Sequence, residues 1–220
     1  MRYAIMGLIG SGKNTVSQYI SQQKPTVNLA FADKLKDVLA VAFGWDREML
    51  EGVTAESREW RNTPDPFWSK VLKREFTPRM ALTEWGTDLI REHFCDTFWI
   101  HSIGRELEKL PKDANVILVD CRNRNEIEYA KNNGFTFIQV NGKQIPEWFY
   151  EIMSIRQQYK YTGVGEKEID QKIKLFMEQS YPSIHSSEYA WVGVVEPDVV
   201  IDNVGSLIDL YNQVDAKVPL

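Results

Sequence analysis

Short apolar runs recur along the chain at Tyr3–Met6, Val27–Phe31, Val116–Val119, Phe135–Val140 and Val199–Ile201. Each reads as a β-strand. Segments with apolar residues at helical spacing separate them: Lys13–Gln22, Lys34–Phe43, Pro78–Ile90, Trp99–Leu110, Glu126–Asn132 and Ser206–Val214. Strands that alternate with helices imply βαβ units, and so an α/β fold on a mostly parallel five-stranded sheet. Two stretches break the alternation. Residues 44–77 are polar and rich in Trp and Arg, and residues 142–196 are longer and carry a helical pattern of their own at Glu166–Glu178. Connections of that length in a compact domain are usually lids or binding segments. Both are expected near the C-terminal ends of strands, where open α/β sheets bind ligands.

Composition narrows the class. With 43% apolar and 26% charged residues, 220 residues can bury a core as one domain with insertions. The net charge of −5 argues against a general nucleic-acid binder, because phosphate backbones reward basic surfaces. Any phosphate site must then be built from local Lys and Arg. Cys95 and Cys121 are the only cysteines, too few for a disulfide framework and without metal-ligand spacing. The chain enters its first strand at once and holds no apolar run approaching ~20 residues. No signal peptide, no membrane segment and a cytoplasmic location are therefore expected.

The strongest chemical signal is Gly7-Leu-Ile-Gly-Ser-Gly-Lys13-Asn-Thr15, which lies between the first apolar run and the first helical one. Strand, glycine loop and helix form the setting of a phosphate-binding P-loop. There the backbone N–H groups curl around an anion, the helix N-terminus adds its positive end, and the lysine reaches the β- and γ-phosphates. Gly10, Ser11, Gly12, Lys13, Asn14 and Thr15 are the candidate nucleotide-binding residues. Asn14 stands where the pattern has Ser or Thr, and the hydroxyl comes one place later at Thr15. Asn14 is a poor direct ligand for Mg²⁺, which would then be held through water and the nucleotide. The competing reading is a strand–helix turn without a ligand.

Further groups need an explanation. Asp33 is placed to cap the helix that follows it, with Lys34 and Lys36 beside it. Either those lysines are solvated, or Lys36 holds a second phosphate. Arg58 and Arg61 are three apart on one helical face. Pro78 begins a helix and puts Arg79 in its first turn, where a cation opposes the helix dipole and an anion partner would explain it. Gly86 inside a helix costs about 1 kcal/mol relative to Ala, which suggests close approach of a ligand or of packing neighbours. Trp85 and Trp99 could stack on a base or fill the core. Asp120, at the end of a buried strand, is the Walker B arrangement that orients Mg²⁺ or its water. Arg122 follows it, either aimed at the same mouth or paired with Asp120. His185, Ser187 and Glu188 are local to one another and lack a nucleophile elbow. A capping box is expected there rather than a hydrolase triad.

Taken together, these blocks resemble the deoxynucleoside monophosphate (dNMP) kinases of tailed bacteriophages, a branch of the P-loop NMP kinases. The resemblance runs nearly the whole length. It rests on Gly7–Thr15, Leu35-Lys36-Asp37, Glu51-Gly52 with Arg58, Arg79 before Gly86-Thr87-Asp88, Phe98-Trp99, Asp120-x-Arg122, His185-x-Ser-Glu188, and Asp198–Asn203 followed by Gly205-Ser206. It implies a three-layer P-loop NTPase-type fold in one domain, residues 1–220, with an NMP-binding insertion at 44–77 and a lid-like insertion at 142–196. It also implies transfer of the γ-phosphate of ATP to a dNMP, giving a dNDP for phage DNA synthesis. Lys13, Arg79, Arg122 and Asp120 would be catalytic. Lys36, Arg58, Arg79, Gly86, Thr87, Asp88 and Trp99 would bind the acceptor. Mg²⁺ would be held by Thr15 and Asp120 through water. The family usually has Asp where Asn14 stands, and the longer second insertion leaves Arg156 as a lid arginine by position alone. The partner expected is a small-molecule dNMP, with neither nucleic acid nor membrane, and a homodimer is compatible. Two alternatives stay open: another small-molecule P-loop kinase, acting on dephospho-coenzyme A or phosphomevalonate, and a non-catalytic nucleotide-binding partner protein.

Overall fold

The computed structural model describes residues 1–220. In chain order the elements are β1 (Arg2–Met6), α1 (Lys13–Gln23), β2 (Val27–Leu29), α2 (Asp33–Phe43), α3 (Ala55–Asn62), α4 (Pro66–Leu72), α5 (Pro78–Thr83), α6 (Phe98–Glu108), β3 (Val116–Leu118), α7 (Arg124–Asn132), β4 (Thr136–Asn141), α8 (Glu147–Tyr159), α9 (Glu166–Ser180), α10 (Ser186–Tyr189), β5 (Val199–Asp202) and α11 (Leu207–Lys217). A 3₁₀ turn spans Met49–Glu51, and π-helical turns over Glu84–Phe94 follow α5 directly. No helix is long and apolar enough to cross a membrane.

The chain divides into two compact units, Met1–Leu29 with Pro111–Leu220, and Ala30–Leu110. The first carries a five-stranded, all-parallel sheet in the order β2-β3-β1-β4-β5, an α/β arrangement. Central strand β1 explains why its sequence is an unbroken apolar run. Tyr3 and Ile5 point to one face, Ala4 and Met6 to the other, and all four are buried. The Tyr3/Ile5 face packs with Val16 and Ile20 of α1, Ile138 and Val140 of β4, and Leu210 and Val214 of α11. Strand β1 sits where the order reverses, with β3 on one side and β4 on the other. The loops leaving these three strands therefore share one end of the sheet, the place where such sheets bind ligands.

The second unit is helical, and its core is aromatic. Phe43 stacks on Trp45 with centroids 4.5 Å apart and meets Trp68, Trp85 and Phe76 at 4.9, 5.4 and 5.6 Å. The tryptophans that make residues 44–77 look unusual are thus largely its packing. Three side-chain caps start the helices: Thr54 for α3, Asp65 for α4 and Thr77 for α5. Asp65 also accepts the Trp45 indole N–H at 2.8 Å, tying a cap to the core.

The pattern predicted one helix over Pro78–Ile90. Instead the turns widen at Glu84, and the Cys95 N–H reaches back to the Ile90 carbonyl. Asp33 lies inside the first turn of α2 rather than at its cap, and its carboxylate accepts from the Ala30 N–H.

Ile138 is fully buried in the sheet core, whereas Val38 on α2 is 44% exposed. Ile138→Ala is expected to destabilise the protein by about 2–5 kcal/mol and Val38→Ala by less than about 0.5 kcal/mol, measured by urea unfolding.

Candidate functional site

The glycine loop joins β1 to α1 in the first unit, and its shape follows from what crowds it. Gly7 has φ +152°, and a Cβ there would lie 2.4 Å from the Val140 carbonyl oxygen. Gly12, at φ +103°, precedes α1 directly, and a Cβ there would lie 2.5 Å from the Asn203 side-chain nitrogen. Only glycine fits at either position. The N–H groups of Gly10, Gly12, Lys13 and Asn14 find no acceptor in the protein. Helix α1 has neither a side-chain cap nor an acid in its first turn, so its positive end is left uncompensated. The Ser11 hydroxyl is buried and makes no hydrogen bond. Free N–H groups, an orphan buried hydroxyl and a lysine within one loop fit a polyphosphate.

Lys13 curls back over the loop, and its ammonium donates to the Gly7 and Leu8 carbonyls at 2.8 and 2.7 Å. Its pKa is lowered from 10.5 to about 8, chiefly by burial and then by the Arg122 charge. Glu188 and Asp120 oppose that shift. Asp120 follows β3, so the strand beside β1 delivers a carboxylate to Lys13. Arg122 does not use Asp120 as its ion-pair partner. It bonds Glu188 at 3.0 Å, while its backbone N–H donates to Glu126. Glu188 belongs to α10, whose cap is the His185 side chain, accepting from the Ser187 N–H. The anticipated Ser–Glu capping box is thus replaced by a histidine cap and a long-range ion pair. Cys121 is buried, and burial pushes its thiol pKa well up, so it is no nucleophile.

No group of three or more His, Cys, Asp or Glu side chains converges to hold a metal. Mg²⁺ is commonly held by one or two carboxylates, water and substrate phosphates rather than by an all-protein cage. Thr15 lies in the first turn of α1 and Asp120 follows β3, both partly buried. Asn14 is exposed, and its carbonyl accepts from the Ser17 hydroxyl.

Arg156 is no free lid cation. It is buried, bonded to Asp170 at 2.8 Å and to the Val192 carbonyl. Arg124 pairs with the same Asp170 and, at 2.8 Å, with Glu166. These two arginines tie α7 and α8 to α9.

The second unit holds the other candidate residues. Lys36 bonds Glu51 at 2.6 Å and lies 3.6 Å from Asp33, and Arg47 joins the cluster through Glu51 and Asp37. Any anion on Lys36 must therefore share it with two carboxylates. Arg58 and Arg79 differ, because neither is ion-paired. The Arg58 guanidinium donates to the Val53 carbonyl at 2.6 Å, and Arg79 Nε donates to Asn62 Oδ1 at 2.8 Å. The same Asn62 amide donates to the Arg58 carbonyl at 2.8 Å, so one side chain links the two helices that carry the arginines.

Gly86 is explained by packing. A Cβ there would lie 2.7 Å from Leu35 Cδ2, and its carbonyl accepts the Trp99 indole N–H at 2.9 Å. Trp99 is buried, so its ring forms a wall of the core and offers no face for a base. Thr87 and Asp88 are partly exposed on the adjoining turn. Trp85 lines an open cleft of about 270 Å³ with Phe43, Trp68 and Phe76, bordered by the Arg74–Glu84 ion pair.

Sequence reasoning missed three positioning groups: Glu188 on Arg122, Asn62 on Arg79 and Asn203 on the loop. No local pattern marks them, since Glu188 lies 66 residues from its partner and Asn203 192 from its own.

No family model matches the chain, and no curated protein sequence does. Among solved structures it is similar to a gluconokinase from Sinorhizobium meliloti, with 13% identity over 98% of this chain and 90% of that one and a TM-score of 0.39. It is likewise similar to a protein from Thermus thermophilus, with 17% identity over 97% and 94% and a TM-score of 0.39.

The lowered Lys13 pKa has a signed consequence. Between pH 8 and 10.5 the unfolded chain holds a proton on Lys13 that the folded chain has lost, so the lysine's penalty on folding fades as pH rises through that window. Urea unfolding of wild type and Lys13→Met from pH 7 to 10.5 should show Lys13→Met the more stable at pH 7, with the gap closing upward from pH 8. A gap that stays constant would show that the pKa is not lowered.

Proposed function

We propose that this protein is an ATP-dependent phosphotransferase that acts on a small phosphorylated acceptor, and specifically a dNMP kinase that forms a dNDP. The observation that carries the reading is the Arg58–Asn62–Arg79 arrangement, considered together with the glycine loop. A nucleotide switch or adaptor needs one phosphate site. Two arginines without carboxylates, in a protein of net charge −5, are what a second phosphate would use. The dNMP assignment itself rests on the family resemblance of the Gly86-Thr87-Asp88 and Asp120-x-Arg122 blocks.

The chemistry asks little of covalent catalysis. The acceptor phosphate is already ionised at neutral pH, so no general base is required, in keeping with the absence of a triad and the buried, protonated Cys121. The protein's work is positioning and charge stabilisation. The loop N–H groups and Lys13 hold the donor phosphates. Arg122 stabilises charge on the transferred group, steadied by Glu188. Arg58 and Arg79 hold the acceptor phosphate, with Lys36 as a shared contributor. Thr15 and Asp120 would hold Mg²⁺ through water, and the ion would supply neutralisation of phosphate charge.

The test is ADP formation with ATP and a panel of dNMPs and NMPs, alongside gluconate, dephospho-coenzyme A and phosphomevalonate. Turnover with a dNMP is expected, and its absence with every dNMP overturns the specific assignment. Lys13→Ala should keep the fold and lose at least about 100-fold in turnover, on the scale of removing one oxyanion donor. Arg79→Ala should raise the acceptor KM and leave the KM for ATP unchanged. Near-normal turnover in Lys13→Ala would sink the P-loop reading.

A further inference from the structure

The glycine loop is held from outside by one side chain with no part in the scheme above. Asn203 follows β5, and its backbone N–H donates to the Asn141 carbonyl at 2.8 Å, extending the β4–β5 ladder by one rung. Its side-chain amide then donates to the Ser11 carbonyl at 2.9 Å. The same nitrogen occupies the space that a Cβ on Gly12 would need. A Cβ on Gly142, the residue after β4, would lie 3.3 Å from the Ser11 Cα, so the chain leaving β4 also crowds the loop.

The consequence comes from peptide geometry. The Ser11–Gly12 bond is trans and planar, so its carbonyl and its N–H point in opposite directions. Fixing the Ser11 carbonyl on Asn203 turns the Gly12 N–H away from β5. That N–H is one of the groups with no acceptor in the protein, and it stands beside the free N–H groups of Lys13 and Asn14. Gly12, at φ +103° and ψ 13°, has no side chain to resist rotation of this peptide. Without an external restraint the unit could flip and present a carbonyl oxygen to an anion.

We propose that Asn203 is a positioning residue that locks the Ser11–Gly12 peptide, so that the loop meets a polyphosphate with its N–H groups already aligned. The proposal rests on the P-loop reading and adds to it the residue that preorganises the loop. It requires Asn203 as a hydrogen-bond donor, which separates it from a space-filling role. Aspartate has nearly the same shape, but its carboxylate cannot donate and would face the Ser11 carbonyl.

The experiment is calorimetric titration of the full-length protein, Asn203→Ala and Asn203→Asp with MgATP and with inorganic tripolyphosphate, joined to steady-state kinetics. Asn203→Ala should bind both ligands about three- to tenfold more weakly, the range of one neutral hydrogen bond. Asn203→Asp should lose at least as much. The KM for ATP should rise in both while the acceptor KM holds. Wild-type affinity in Asn203→Ala overturns the proposal, as does full affinity in Asn203→Asp, and either variant alone decides if the other fails to fold. Failure of the wild type to bind either MgATP or tripolyphosphate overturns the P-loop reading and this proposal together.

Discussion

The Val140 carbonyl leaves no room for a side chain at residue 7, and much of the first unit is arranged around that close approach. Strand β4 pairs with β1 up to Met6 opposite Gln139, so the chain leaving β1 must turn across the end of β4 at once. Glycine at 7 permits the turn, Gly142 lets the β4 exit pass Ser11, and Gly12 lets Asn203 reach in from β5. A loop squeezed in this way has few conformations left. Its Ser11 N–H bonds the Leu8 carbonyl, while those of Gly10, Gly12, Lys13 and Asn14 end without acceptors in the protein.

Charge in that unit follows the same economy of space. Lys13 is desolvated and stands near Arg122, an arrangement that burial alone would make unfavourable. Glu188 offsets it twice, through its bond to Arg122 and through its field on Lys13. Because Glu188 lies on α10, near the end of residues 142–196, that long connection is coupled electrostatically to the loop lysine. The rest of the same segment is fastened by Arg124 and Arg156 converging on Asp170 of α9. Arg156 is therefore a structural cation, with its guanidinium committed to Asp170 and to the Val192 carbonyl.

What the sequence disclosed divides by distance along the chain. All five strands were legible: β1 and β3 are buried on both faces and read as unbroken apolar runs, while β2 and β5 keep enough apolar positions around the exposed Asn28 and Val200. The glycine loop was legible because its chemistry lies within nine residues. Helix α8 was not: its buried face, Trp148, Phe149, Ile152 and Arg156, includes a charged residue, while Tyr150 and Met153 lie exposed. The widening after α5 was also hidden, since it accompanies Gly86 packing on Leu35 and bonding Trp99, partners 51 and 13 residues away. Gly86 was read correctly as a place of close approach, but sequence could not tell packing from ligand.

The arginines show how an acidic protein can keep an anion site open. Arg47, Arg74, Arg122, Arg124 and Arg156 each hold at least one carboxylate. Arg58 and Arg79 hold none, and neither do Arg2 and Arg105, although the chain sets 31 acidic residues against 26 basic ones. Arg58 and Arg79 remain unpaired because their surroundings offer neutral oxygens: the Val53 carbonyl for one, the Asn62 amide for the other. A neutral acceptor orients a guanidinium without neutralising it, so the charge stays available to an incoming anion. Asn62 fits that task better than aspartate would at the same position. It accepts from Arg79 and donates to the Arg58 carbonyl, and it brings no charge of its own to compete with a phosphate.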